Sequence, residues 1–292
     1  MIGLIIRPMI QYIDRFNGLT TRPIKERNGE MKILVCIKQV PGATSVEVDE
    51  KTGVLKRDGV ESKMNPYDLY ALETALWIKE KMGGSITAVT MGPPQAQSII
   101  KEAYMMGADD GYIFSDRRFA GADVLATSYT LSQGVMAIGN FDIILCGKQT
   151  TDGDTAQVGP ALAEYLGIPH AAWVKSIDSI SEKGIVVAQD MADSVEFIEL
   201  TYPCLITVEK DIIQPRLPSF RRKLLTSERA VNMMSLDDFA DKDENKYGLS
   251  GSATRVERIF PPESNTRQIT WEGEPNELAD KIYGTLAEQK LL

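Results

Sequence analysis

The pattern of apolar and polar positions changes at Met31. From there, apolar runs of strand length alternate with segments whose apolar residues recur at helical spacing. Lys32 to Val40 is predicted as a buried strand, and Val46 to Val60 as a β-hairpin that turns at Thr52-Gly53. Asn65 is placed to cap a helix with Pro66 at its first position; Leu69, Leu72, Leu76 and Trp77 give it one apolar side, and Gly83-Gly84 ends it. Ser85 to Met91 is the next strand, Pro94 to Met106 the next helix with Gly107 as its stop, and Gly111 to Phe114 a third strand. Ala122 to Ile138 then reads as helix, Phe141 to Cys146 as strand and Ala156 to Leu166 as helix. Alternation of this kind requires right-handed crossovers, so the expected class is α/β, with a mainly parallel sheet covered by helices on both faces.

After His170 the pattern becomes β-rich. Ala171 to Ile177, Gly184 to Gln189, Val195 to Leu200 and Cys204 to Glu209 are expected to extend the sheet, partly antiparallel. Beyond Asp211 come Pro215, Pro218 and a basic stretch, then the polar Asp237 to Lys246, so the remainder reads as loops of low core content before a terminal helix over Asn276 to Leu291. Residues 1–30 are unlike the rest. The apolar patch Met1 to Ile6 is interrupted by Arg7 and Pro8, far short of the roughly 18 apolar residues of a membrane span, and the features of a secretory signal are missing. The expected organisation is therefore a leader over 1–30 outside the native fold, an α/β domain over 31–210 and a C-terminal arm over 211–292.

Charge and composition narrow the partners. The 292-residue chain has a net charge of −9, which disfavours duplex nucleic acid and anionic membrane surfaces and fits a cytoplasmic protein. Its three cysteines, Cys36, Cys146 and Cys204, lie far apart in apolar runs without a CxxC pair, and are read as reduced, buried thiols. His170 is the only histidine, so Ser-His-Asp and Cys-His catalysis would have to pass through it; the bland alternative is a packed or surface side chain. No residue is read as an acid, base or nucleophile, and no metal site is expected. The pair Met105-Met106 and the stripe Leu131, Val135 and Ile138 are read as core.

The informative segment runs from Gly147 to Pro160, after an apolar strand and before a helix. Ligands of open parallel sheets sit at the carboxyl ends of strands, and a Gly-rich turn opening a helix offers free N–H groups to a phosphate. On this reading the amides of Asp154 through Val158 face the phosphates, the Gln157 side chain donates a further bond, and Gly153 supplies close approach and a conformation with φ > 0. The residues alone favour the other reading, a surface loop in which Asp154 or Thr155 is an ordinary N-cap. Asp152 and Asp154 as Mg²⁺ ligands is a third, thinly supported one.

Several stretches occur in the order found in electron transfer flavoprotein beta subunits: Lys32 to Pro41, Met64-Asn65-Pro66, Met91-Gly92-Pro93, Met106 to Asp109, and Gly147 to Pro160. The chain resembles that family from Met31 to its end. The resemblance implies a parallel-centred, Rossmann-like sheet of the adenine nucleotide alpha hydrolase-like kind, a nucleotide-binding domain over 31–210, and a partner-recognition loop with a C-terminal docking arm over 211–292. It implies nucleotide contacts at Cys36, Asn65, Met91, Thr150, Asp152 and Thr155 to Val158. Gly153 and Ala156, with Asp154 between Gly153 and Thr155, make the loop resemble the form that holds FAD in electron-bifurcating members. The alternative is the AMP of the conventional carrier, whose loop is more acidic. The family signature region falls at Val187 to Thr207 but departs from its pattern at Gln189, Ala192 and Ser194.

The implied function is that of the beta subunit of a heterodimer. With an alpha subunit it would pass electrons from NADH to a flavin-dependent dehydrogenase or acyl-CoA reductase and to ferredoxin or flavodoxin. Arg216, Phe220, Arg221, Arg222 and Lys223 read either as a solvated loop or as a docking anchor for the dehydrogenase. An adenine-nucleotide hydrolase or ligase would need a phosphate loop of Ser-Gly-Gly type after the first strand, which Lys38 to Gly42 is not, and a nucleotide-sensing stress protein would be far shorter.

Overall fold

The computed structural model describes residues 30–42, 62–255 and 269–292; the expected leader and the Val46 to Val60 hairpin lie outside the described residues. The chain divides into two compact units, Met1–Val46 with Arg57–Arg255, and Glu47–Lys56 with Val256–Leu292.

In the first unit the expected alternation is present as β1 (Lys32–Cys36), β2 (Gln39–Pro41), β3 (Ser62–Met64), α1 (Pro66–Met82), β4 (Ser85–Met91), α2 (Gln97–Met106), β5 (Asp110–Phe114), α3 (Val124–Ile138), β6 (Ile143–Gly147) and α4 (Val158–Leu166). It continues with β7 (His170–Ile180), β8 (Gly184–Asp190), β9 (Val195–Thr201), β10 (Cys204–Val208), α5 (Phe220–Leu225) and β11 (Asn232–Met234). A nine-stranded sheet runs in the order β11-β5-β4-β1-β6-β10-β7-β8-β9, with β2 and β3 forming a separate antiparallel pair. Every pairing from β11 to β7 is parallel, whereas β8 and β9 add antiparallel. Short turns join β7, β8 and β9, and only antiparallel strands can be joined so tightly.

Period-2 alternation splits the strands between two cores. Ile33, Val35, Ile86, Ala88, Leu145 and Ile206 face α1 and α2, while Leu34, Val89, Phe114, Cys146 and Leu205 face α3 and α4. Met31 is fully buried and its carbonyl accepts the Ser85 amide, so the core includes the residue at which the pattern begins.

The low core content expected after Asp211 is corrected for part of that segment. β11 extends the sheet edge beside β5, and Leu236, Phe239 and Tyr247 are buried against α3 and the turn at Phe119. Phe239 stacks on Phe119 at 5.5 Å and meets Phe114 edge-on at 5.8 Å. Apolar residues spaced this widely within a polar run carry no periodic signal; their burial depends on a surface supplied by distant elements. Arg118 secures the segment by binding Asp116, Asp237 and Glu244. In the second unit the terminal helix is α6, Pro275–Glu288, with Pro275 at its first turn.

Candidate functional site

The strand order reverses at β1: β4 and β5 lie to one side, β6 and β10 to the other. That switch point, at the carboxyl ends of β1 and β6, is where open α/β sheets leave a crevice. Cys36 ends β1, Met91 ends β4 and Gly147 ends β6, so the residues placed there by resemblance share one edge. Asn65 joins them, because its amide donates to the Lys38 carbonyl.

Asn65 was expected to cap α1 with its side chain, and this is corrected: no side-chain cap bond forms. The fully buried carboxamide instead donates to the Gln149 carbonyl at 2.9 Å and accepts from the Thr151 amide at 3.3 Å, tying the start of α1 to the loop after β6. Asp68, one turn on, has the same orientation and was not singled out from sequence. Its carboxylate accepts from the Lys38 amide at 2.7 Å and from the Gly147 amide. Burial pushes this carboxyl up to about 7, against the lowering effect of Asn65, the two amides and the Lys38 charge. A Cβ on Gly147 would lie 2.5 Å from Asp68 Oδ1, so only glycine lets β6 end against this group. The available signal was an acid three residues after Asn65, which sequence reads as an ordinary first-turn acid.

The loop itself departs from expectation in three ways. α4 begins at Val158 rather than Ala156, and its N-cap is Gln157, with no side-chain cap bond; neither Asp154 nor Thr155 fills that role. Left-handed backbone occurs at Asp154 (φ 53°) and Ala156 (φ 55°), not at Gly153, where an added Cβ would meet only Thr150 Oγ1 at 3.6 Å. The strain therefore falls on residues with side chains, and the exposed Gly153 is not a conformational necessity. Asp152 is held by Lys38 Nζ at 2.8 Å. Burial raises this carboxyl, but Lys38 and Thr150 outweigh it and hold it below the usual carboxylate range.

The consequence is a row of available donors. Ala156 (left-handed) followed by Gln157 (φ −111°, ψ −18°) is the alternation that turns successive N–H groups into one concavity. The amides of Thr155, Ala156, Gln157, Val158 and Gly159 meet no acceptor among the described residues. Thr90 Oγ1, at the end of β4, is also buried without a partner. The donor set suits an anion at the start of α4. A nucleotide phosphate fits it, with Asn65, Cys36 and Met91 along the same strand ends.

The thiol of Cys36 is half-buried rather than buried, and its contact with the paired Cys146, together with burial, pushes the Cys146 thiol well up. Burial likewise raises Cys204 to about 12. His170 is exposed at the start of β7. Among the described residues no group of three or more His, Cys, Asp or Glu is placed to hold a metal ion, and no helix is long and apolar enough to cross a membrane.

The basic stretch separates into two parts. Arg216 is turned inward: its Nη2 and Nε bond the buried Glu73 at 2.7 and 2.9 Å, and Nη1 reaches Glu80. Phe220, Arg221, Arg222 and Lys223 lie on α5, which buries none of its residues, and Leu217, Leu224 and Leu225 are exposed beside them.

Comparison with known proteins gives the family. A model of the electron transfer flavoprotein domain matches residues 52–237. The chain is 39% identical over 263 residues to "Electron transfer flavoprotein subunit beta" of Thermoanaerobacterium thermosaccharolyticum, covering 90% of this chain and 100% of that one. It is 40% identical over 264 residues to "Caffeyl-CoA reductase-Etf complex subunit CarD" of Acetobacterium woodii, with the same coverages, and 40% identical over 272 residues to the beta subunit of Megasphaera elsdenii. A parallel sheet with its donor row at the switch point, and relatives matched along their full length, lead to one conclusion: this chain belongs to the electron transfer flavoprotein family, as a beta subunit.

Proposed function

We propose that the chain holds FAD at the start of α4. With an alpha subunit it would then pass electrons from NADH to an acyl-CoA reductase or flavin-dependent dehydrogenase and to a low-potential acceptor, ferredoxin or flavodoxin. The observation that carries this reading is the row of amides from Thr155 to Gly159 without acceptors, shaped by left-handed backbone at Asp154 and Ala156. A single phosphate needs fewer donors than a diphosphate, and the loop places no acid other than Asp154 between Gly153 and Pro160. A relative named as part of a caffeyl-CoA reductase complex supports an acyl-CoA reductase as partner.

In this reading the chain's own residues bind and orient. The Thr155 to Gly159 amides receive phosphate oxygens, Gln157 donates from its side chain, and Thr150 and Asp152 border the ribose. Cys36 and Met91 line the adenine end, and the buried Asn65 holds the loop after β6 beside them. Asp68 and Lys38 act through others, keeping the ends of β1 and β6 and the loop in register. FAD, when bound, supplies the hydride and single-electron chemistry.

The deciding measurement is chromatography of nucleotides released from the denatured heterodimer. Two FAD per heterodimer is the expected result. One FAD with one AMP would overturn the reading and leave the conventional carrier.

A further inference from the structure

We propose that Trp173 selects a dinucleotide over a mononucleotide at this site, its indole receiving the ring system at the far side of the phosphates from adenine. This inference deepens the FAD reading above and rests on it.

Trp173 stands in an unusual conformation for its size. It lies in β7 with φ 55°, where the register of β7 against β10 shifts between Ile206 and Val208. Left-handed backbone in a bulky residue is an outlier that persists only when its surroundings hold it there. Here the Trp173 amide donates to Thr207 Oγ1 at 3.0 Å. The same threonine packs on α4, since a Cβ on Gly159 would lie 2.4 Å from Thr207 Cγ2. One side chain thus separates the Trp173 backbone from the second residue of α4, the helix whose first amides receive no acceptor.

The ring is 39% exposed although neighbouring Ala171 and Val174 are buried. Lys148 Nζ lies 4.9 Å from its centroid and is held by Glu209 at 2.6 Å. Lys148 directly follows Gly147, and its amide continues the ladder to the Val208 carbonyl at 2.9 Å. An aromatic plane, a fixed cation and a row of N–H donors therefore share one strand-end edge. A flat conjugated ring with polar edges packs well against such a plane. The proposed nucleotide contacts at Cys36 and Met91 lie across the switch point at the ends of β1 and β4, whereas Trp173 lies beyond β10. A mononucleotide with its base at β1 and its phosphate at α4 ends before Trp173; a dinucleotide continues past it.

The test compares the native heterodimer with its Trp173→Ala and Trp173→Phe forms, each stripped of nucleotide and titrated separately with FAD and with AMP. Trp173→Ala should weaken FAD at this site about tenfold, or about 1.4 kcal/mol, and change AMP less than twofold; Trp173→Phe should restore most of the loss. FAD should quench tryptophan emission in the native protein and much less in Trp173→Phe, which keeps Trp77 and Trp271. If the native site takes FAD but Trp173→Ala shifts both ligands equally, or neither, the selective role falls while the FAD reading stands. A native site that takes AMP and refuses FAD overturns both. Should Trp173→Ala fail to fold, the emission and affinity of Trp173→Phe decide: quenching equal to the native protein's overturns the proposal.

Discussion

Asp68 shows how one buried residue can set the geometry of the strand ends and of the loop beside them. Its carboxylate joins the end of β1, the end of β6 and, through Asn65, the loop that follows. Burial raises its folded pKa to about 7 from the ordinary 3.8. The folded chain therefore holds a proton that the unfolded chain releases between these values. Its contribution to stability is present in full below about pH 4 and is lost as pH rises through about 7, at roughly 1.4 kcal/mol per pH unit across the window. The Asp68→Asn variant should lack this slope. Urea unfolding of both forms from pH 4.5 to 7.5 checks it; parallel stability curves would refute the assignment. Residue by residue, the loop also shows why composition misleads about conformation. Gly153 invites a left-handed assignment, yet Asp154 and Ala156 adopt it, because the turn must aim its amides at one point before α4 begins.

At the scale of elements, α1 is the organiser. Its N-cap Asn65 and first-turn Asp68 tie the carboxyl-end edge of the sheet together, and its middle supplies Glu73 to the segment that leaves β10. The buried Glu73 carboxylate accepts from the Arg216 amide at 3.0 Å as well as from its guanidinium, so residues after β10 are drawn back against α1 before α5 projects. Removing the arginine leaves a buried acid without its cation. Arg216→Ala should therefore destabilise the fold by about 2–4 kcal/mol, whereas Arg221→Ala, in the fully exposed α5, should change stability by less than about 0.5 kcal/mol. Thermal denaturation of the two variants distinguishes an anchoring arginine from a projecting one, and equal losses would show that the clamp is immaterial.

Across the molecule, charge and apolar surface are distributed unevenly. An acidic chain of net charge −9 exposes Phe220, Leu224 and Leu225 beside Arg221, Arg222 and Lys223 on one short helix. Apolar anchors ringed by charge of the minority sign suit a partner surface that is itself acidic, and rim charges act mainly on the rate of encounter. If the chain works as proposed, reversing Arg221 and Arg222 to Glu should slow electron delivery from the heterodimer to its dehydrogenase or reductase about tenfold at low salt. The deficit should shrink as ionic strength rises, and bound flavin should be unchanged. Stopped-flow reduction of the partner over a salt series reads this directly; identical rates and salt dependence in both forms would make α5 an ordinary solvated face.

Local pattern decided which segments became strands and helices, because burial on one or both sides of an element writes its period into the chain. The alternation from Lys32 to Leu166 and the antiparallel extension after His170 were legible in this way, and the ordered motifs carried the family. Boundaries shifted where a turn replaced the first residues of a helix, as before α2 and α4, and the one strand expected over Lys32 to Val40 divides into β1 and β2, the second of which pairs with β3 outside the main sheet. What depended on distant partners was not legible. Asp68 reads as a helix-start acid until β1 and β6 bring their amides to it, and Arg216 reads as surface charge until Glu73 lies beneath it. Leu236, Phe239 and Tyr247 become core only because α3 and the turn at Phe119 provide a surface to cover. Periodicity records the environment of neighbouring residues along one element; the meeting of side chains more than a hundred positions apart is determined by strand order, and only the tertiary structure supplies it.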